Sequence, residues 1–175
     1  MLQTLGIHSN VIGNASLTDG HAWLTMHFPN GNSTSVGLWT STLGESRRLV
    51  KDPTGFMLGE TYDVEFGWEI AKHYQARASR FYRLSPDQAK FSTKVLGAYT
   101  SWRYSNTCAT WATSVVHQLT GEEIASSELL GITNTPRALG NALVQLERRN
   151  PTSLQSPKLV LGNPLLRASR AGSSQ

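Results

Sequence analysis

Cysteine is nearly absent: among 175 residues, only Cys108 carries a thiol. A single thiol cannot form an intramolecular disulfide, and it excludes the Cys-rich zinc motifs. Charge is also sparse, at 16% of residues. No run of five or six like charges appears, so no dedicated nucleic-acid tract is expected. No apolar run approaches the ~20 residues of a transmembrane helix. The opening MLQTLGIHSNVIGNAS lacks the basic start and apolar stretch of a secretory signal. The expectation is a protein made in the cytoplasm, which would need another route of export to work elsewhere. Neither a metal nor a cofactor is called for.

What remains is a globular composition, with 39% hydrophobic residues and a net charge of +4. Such a surface favours acidic partners mainly by raising encounter rates. The length suits one domain. We place it at residues 1–164, followed by a small, polar, frayed tail at 165–175.

Strand-like alternation comes first. In residues 21–28, HAWLTMHF, the side chains of Ala22, Leu24, Met26 and Phe28 share one face. His21, Trp23, Thr25 and His27 share the other. Pro29-Asn30-Gly31-Asn32 follows, and Asn-Gly signals a hairpin. Residues 33–40 make the return strand, in a register that sets Thr40 opposite His21. Residues 61–70 alternate again as a third strand. The long stretch between the second and third strands reads as a loop.

Helices follow. Ser85-Pro86-Asp87-Gln88 has the pattern of a capping box with proline in the first turn, opening a helix that Gly97 ends. A second helix runs from about Cys108 to Leu119, with Trp111, Ala112, Val115, Val116 and Leu119 as its apolar stripe and Thr120-Gly121 as its stop. Thr135-Pro136 opens a third, over roughly 136–149. Strands first and helices second predict an α+β domain: an antiparallel sheet packed against helices.

Cys108 stands at the start of its helix. Free backbone N–H groups there carry partial positive charge, which stabilises a thiolate and can hold an oxyanion. A nucleophilic cysteine needs a base. His117 lies nine residues along the same helix, too far along its axis to reach. His73 reads as a surface residue, and His8 falls in a Gly/Asn/Ser-rich leader. His21 and His27 remain, at opposite ends of one strand. His21 is preferred, because Gly20 lets the chain turn tightly into the strand edge, where another element can approach. Asp19 is the first choice to orient the imidazole, from the Asp-Gly-His spacing. Thr40, Asp63, Glu65 and Glu69 stay open as alternatives. Trp39, Trp102 and Tyr104 are candidates to line a substrate groove.

The Gly20-His21-Ala22-Trp23 strand start and the helix opening Asn106-Thr107-Cys108-Ala109-Thr110-Trp111 resemble the permuted NlpC/P60 branch of papain-like cysteine hydrolases. In that branch the histidine strand precedes the cysteine helix. The likeness covers roughly residues 17–120, and within the branch it is greatest to small effectors of the bacterial type VI secretion system. One departure is Thr107, since members often carry Asn directly before the cysteine. The resemblance implies a permuted papain-like fold and an amidase or peptidase acting on peptidoglycan peptides. It also implies an antibacterial toxin active in the periplasm of a target cell, with an immunity protein and a secretion carrier as partners. A protein deamidase, an acyltransferase, or an inactive binding module on the same fold are the competing expectations.

Overall fold

The computed structural model describes residues 2–16, 19–39, 49–51, 57–62, 64–66, 74–98, 100–103, 105–128 and 133–160. The tail at 165–175 lies outside them.

The chain begins in the sheet. Strand β1 (Thr4–Ser9) is buried along its whole length. Leu5 and Ile7 point to one face, Gly6 and His8 to the other. Thus the residues read as a leader form a central strand, which two apolar side chains were too few to announce. Strands β2 (Ala22–His27) and β3 (Ser33–Leu38) follow as the expected hairpin. Two further strands, β4 (Leu49–Lys51) and β5 (Met57–Tyr62), pair antiparallel. They occupy the stretch expected to be a loop. Short apolar pairs, Leu49-Val50 and Met57-Leu58, flank a Pro53-Thr54-Gly55 turn signal, and each is too brief to show a period. Strand β6 (Val64–Phe66) lies in the segment expected as the third strand, and β7 (Ala78–Arg83) comes after it.

The helices stand where their caps place them. Helix α1 (Pro86–Leu96) has the full capping box: Ser85 accepts from the Gln88 N–H, and Gln88 accepts from the Ser85 N–H. Strand β8 (Ser101–Arg103) precedes helix α2 (Cys108–Thr120), which ends at Gly121 in the left-handed region. Short β9 (Ser127–Glu128) and β10 (Thr133–Asn134) form a ribbon. Helix α3 (Pro136–Arg149) and strand β11 (Lys158–Leu159) complete the order.

The main sheet is 6-stranded, in the order β11-β7-β1-β2-β3-β6. Its pairings are antiparallel except for β11 on β7. One face carries Leu5, Ile7, Ala22, Leu24, Met26, Val36, Leu38 and Tyr82 into a core shared with the buried sides of all three helices. The fold is therefore α+β, with helices packed on a mostly antiparallel sheet.

The β2–β3 hairpin departs from expectation by one residue. Asn30-Gly31 does not make a two-residue turn. Phe28 donates its N–H to the Asn32 carbonyl, and Gly31 adopts φ +87°. The loop is a three-residue turn with glycine in the left-handed position. His27 consequently faces Ser33, and Trp23 faces Gly37. Continued by two residues, that register sets Trp39, not Thr40, across from His21.

Candidate active site around Cys108 and His21

Cys108 is the first residue of α2 because Thr107 caps the helix. The Thr107 hydroxyl accepts the Thr110 N–H at 3.2 Å and donates to the Asn134 carbonyl at 2.8 Å. Thr107 is thus the N-cap, and it ties the cysteine end of α2 to β10. The Cys108 sulphur faces three backbone N–H groups, those of Ala22, Ala109 and Cys108 itself. These favour the thiolate, but burial opposes them. The residue is only 7% exposed, and burial prevails, pushing the thiol up to about 11. At neutral pH the group is a thiol.

His21 is set by its backbone. Gly20, just before it, adopts φ +90°. A Cβ there would also stand 2.4 Å from Cγ2 of Val11, so glycine is required for both conformation and space. Asn10 then holds His21 from both sides. Its Oδ1 accepts the His21 N–H at 2.7 Å, and its N–H donates to the His21 carbonyl at 3.3 Å. Asn10 was not singled out by sequence; its only signal was membership of a polar stretch.

The imidazole of His21 lies against Trp39, with ring centroids 3.8 Å apart and planes 24° apart. Trp23 and Tyr74 stand farther off, at 6.1 and 5.4 Å. Burial lowers the His21 pKa to about 3, so the ring is neutral. Its Nε2 and the Nε1 of Trp39 are both buried without a hydrogen-bond partner among the described residues. Such orphaned groups are uncommon in folded interiors.

No family model, no curated protein and no solved structure matches this chain. The site is defined by its own geometry.

That geometry brings Cys108 to the strand of His21, yet it does not join the two side chains. The thiol meets the N–H of Ala22, whose side chain faces the helices. His21, one residue earlier, turns its ring to the opposite face with Trp23. No hydrogen bond links imidazole and thiol in this structure. Asp19 is exposed and makes none with His21; its N–H donates to the Ser16 carbonyl. Glu65 is in β6 opposite Gly37, one strand farther from His21 than β3. Of the candidate groove residues, Trp39 is the ring against His21, and Trp102 is half-buried against the helix-side core. Tyr104, Thr40, Asp63, Glu69 and His73 lie outside the described residues.

A second histidine group occupies the same face as His21. The His8 ring bonds Ser79 Oγ through Nδ1 and Thr25 Oγ1 through Nε2, both at 2.8 Å, and Thr25 Oγ1 also meets His27 Nε2 at 3.0 Å. His8 stacks on Trp23, and burial, reinforced by the nearby His27, lowers its pKa to about 3. His27 is thereby tied into a structural chain at the far end of β2. Among the described residues, no group of three or more His, Cys, Asp or Glu side chains is placed to hold a metal. Nor is any helix among them long and apolar enough to cross a membrane.

Proposed function

We propose that the protein is a cysteine amidase or peptidase in which Cys108 is the nucleophile and His21 the base. One observation carries this reading: the Cys108 sulphur, in the first turn of α2, faces three backbone N–H groups, one of them in the residue next to His21. Donors so placed stabilise a thiolate and the oxyanion formed when it attacks a carbonyl. The neutral Nε2 of His21, without a partner among the described residues, has the capacity to accept the thiol proton. Transfer requires the imidazole to leave the Trp39 ring and reach the thiol as substrate binds. The imidazolium then protonates the leaving amine, and water hydrolyses the thioester.

The family resemblance adds the substrate, a peptidoglycan peptide. It also adds the setting, an antibacterial effector active in a target periplasm, with an immunity protein and a secretion carrier as partners. Purified sacculi incubated with the protein are expected to release new amines and muropeptides, detected by mass spectrometry. Cys108→Ala should abolish release and leave the fold unchanged. Full activity in that variant would end the proposal.

A second reading is favoured by the raised thiol pKa and the missing imidazole contact: a binding module in which Cys108 is an inert core residue. Iodoacetamide separates the two. A catalytic dyad labels readily near pH 7, more slowly after His21→Ala. An inert thiol labels only as the pH climbs toward 11, whatever residue stands at 21.

A further inference from the structure

Strand β7 is covered on one side by β1 along its length, but on its other side β11 reaches only Tyr82 and Arg83. Phe81 points its N–H to that outer side, where Thr152 Oγ1 accepts it at 2.9 Å. By two-residue alternation, the N–H and carbonyl of Ser79 point the same way. Neither has a partner among the described residues. This stretch of open edge forms a groove of about 350 Å³ with helix α3, lined by Arg77, Ala78, Ser79, Val144, Glu147 and Arg148.

The charge of the groove is one-sided. Glu147 is already engaged: Oε1 accepts from Arg80 and Thr152 Oγ1, and Oε2 accepts from the Thr152 N–H. Arg77 and Arg148 are exposed and have no ion-pair partner among the described residues. The carboxylate is neutralised within the fold, and two guanidinium groups are left over an edge that offers both a donor and an acceptor.

We infer that this groove receives an extended acidic peptide segment of a partner, added to β7 as a strand. A simple anion would satisfy the arginines and the Ser79 N–H but leave the Ser79 carbonyl unmatched. A peptide backbone supplies both an acceptor and a donor at strand spacing. Side chains of such a segment that face α3 lie over Ala78 and Val144 with Arg148 beside them, and those on the opposite side lie beside Arg77. The inference is independent of Cys108 chemistry.

The test is fluorescence anisotropy of the full chain with a labelled Val-Glu-Val-Glu-Val-Glu-Val peptide, together with amide exchange at Ser79. The peptide should bind and slow exchange of the Ser79 amide. The double variant Arg77→Glu/Arg148→Glu, with both positions on the surface, should retain its circular dichroism and lose about tenfold or more in affinity. A lysine version of the peptide, and one with alternate N-methyl amides, should each lose about as much. Absence of binding overturns the inference. So does equal affinity for the N-methylated peptide, or displacement by inorganic phosphate with the Ser79 amide left unprotected.

Discussion

The two faces of the main sheet are built from the same strands and are both largely buried, but they are stabilised differently. Toward the helices, Leu5, Ile7, Leu24, Met26, Val36 and Leu38 make an apolar core into which a single thiol intrudes. On the far face, His8, His21, Trp23, Trp39, Tyr74 and Phe81 make an aromatic layer of stacked, tilted and edge-on rings with Thr25 and Ser79 bonded to His8. Burial on the first face removes apolar area from water and admits a charge only where it is paired, as Arg80 is with Glu122 and Glu147. Burial on the second works only while two imidazoles stay neutral. Candidate nucleophile and candidate base belong to different faces, so the proposed chemistry has to cross the strand that separates them.

The largest expected effect breaks the far face with acid. His8 and His21 both have pKa values near 3 when folded, because burial disfavours their charged forms. In the unfolded chain each titrates near 6.5. Below that value the unfolded state binds protons that the folded state excludes, so stability is held above pH 6.5 and lost as the pH falls toward 3. At pH 5 the loss is about 2 kcal/mol for each ring. Glu128, lowered from 4.5 mainly by its hydrogen bond from Arg137, gives up its share only at lower pH. Urea unfolding at pH 7 and pH 5 measures the drop. A stability unchanged over that span would mean that the imidazoles are not buried and neutral.

Next come paired substitutions at neighbouring positions of β2. Leu24→Ala leaves a cavity in the helix-side core and should cost about 3 kcal/mol. Thr25→Val keeps the volume but strips His8 Nε2 of its partner, and should cost about 1–2 kcal/mol. Shifts in the urea midpoint check both. A Thr25→Val loss at pH 7 as large as that of Leu24→Ala would place the main anchor of the sheet in the polar layer.

Much of the helix-side face was legible in the sequence because its signals are local. The Ser85 capping box, the Thr135-Pro136 start and the Thr120-Gly121 stop fix the helix ends within a few residues of chain. The alternation of 21–28 likewise assigns the sides of β2. The far face was illegible because it is made by pairings distant in sequence. His8 looked like part of a polar leader until β1 was set between β2 and β7. Strand β4 has three residues, and β5, MLGETY, sets its apolar residues side by side instead of alternating them. The hairpin register failed by one residue, since Asn30-Gly31 suits a two-residue turn and a three-residue turn alike. That single residue exchanges Thr40 for Trp39 opposite His21, and so a hydroxyl for an indole against the imidazole.

The smallest expected effect concerns what orients that imidazole. The spacing Asp19-Gly20-His21 assigns the task to the carboxylate, but Asp19 is exposed and has no hydrogen bond to the ring. Asn10 grips the His21 backbone on both its N–H and its carbonyl, and Trp39 lies flat against the ring. If orientation resides in these two residues, Asp19→Ala should change stability by no more than about 0.5 kcal/mol, as at an ordinary surface position. It should also leave the iodoacetamide rate of Cys108 near pH 7 unaltered. Asn10→Ala removes a bond to an otherwise buried N–H, so it should cost about 1–2 kcal/mol. A labelling rate that falls in Asp19→Ala, with stability intact, would restore the carboxylate as the orienting group and remove Trp39 from that role.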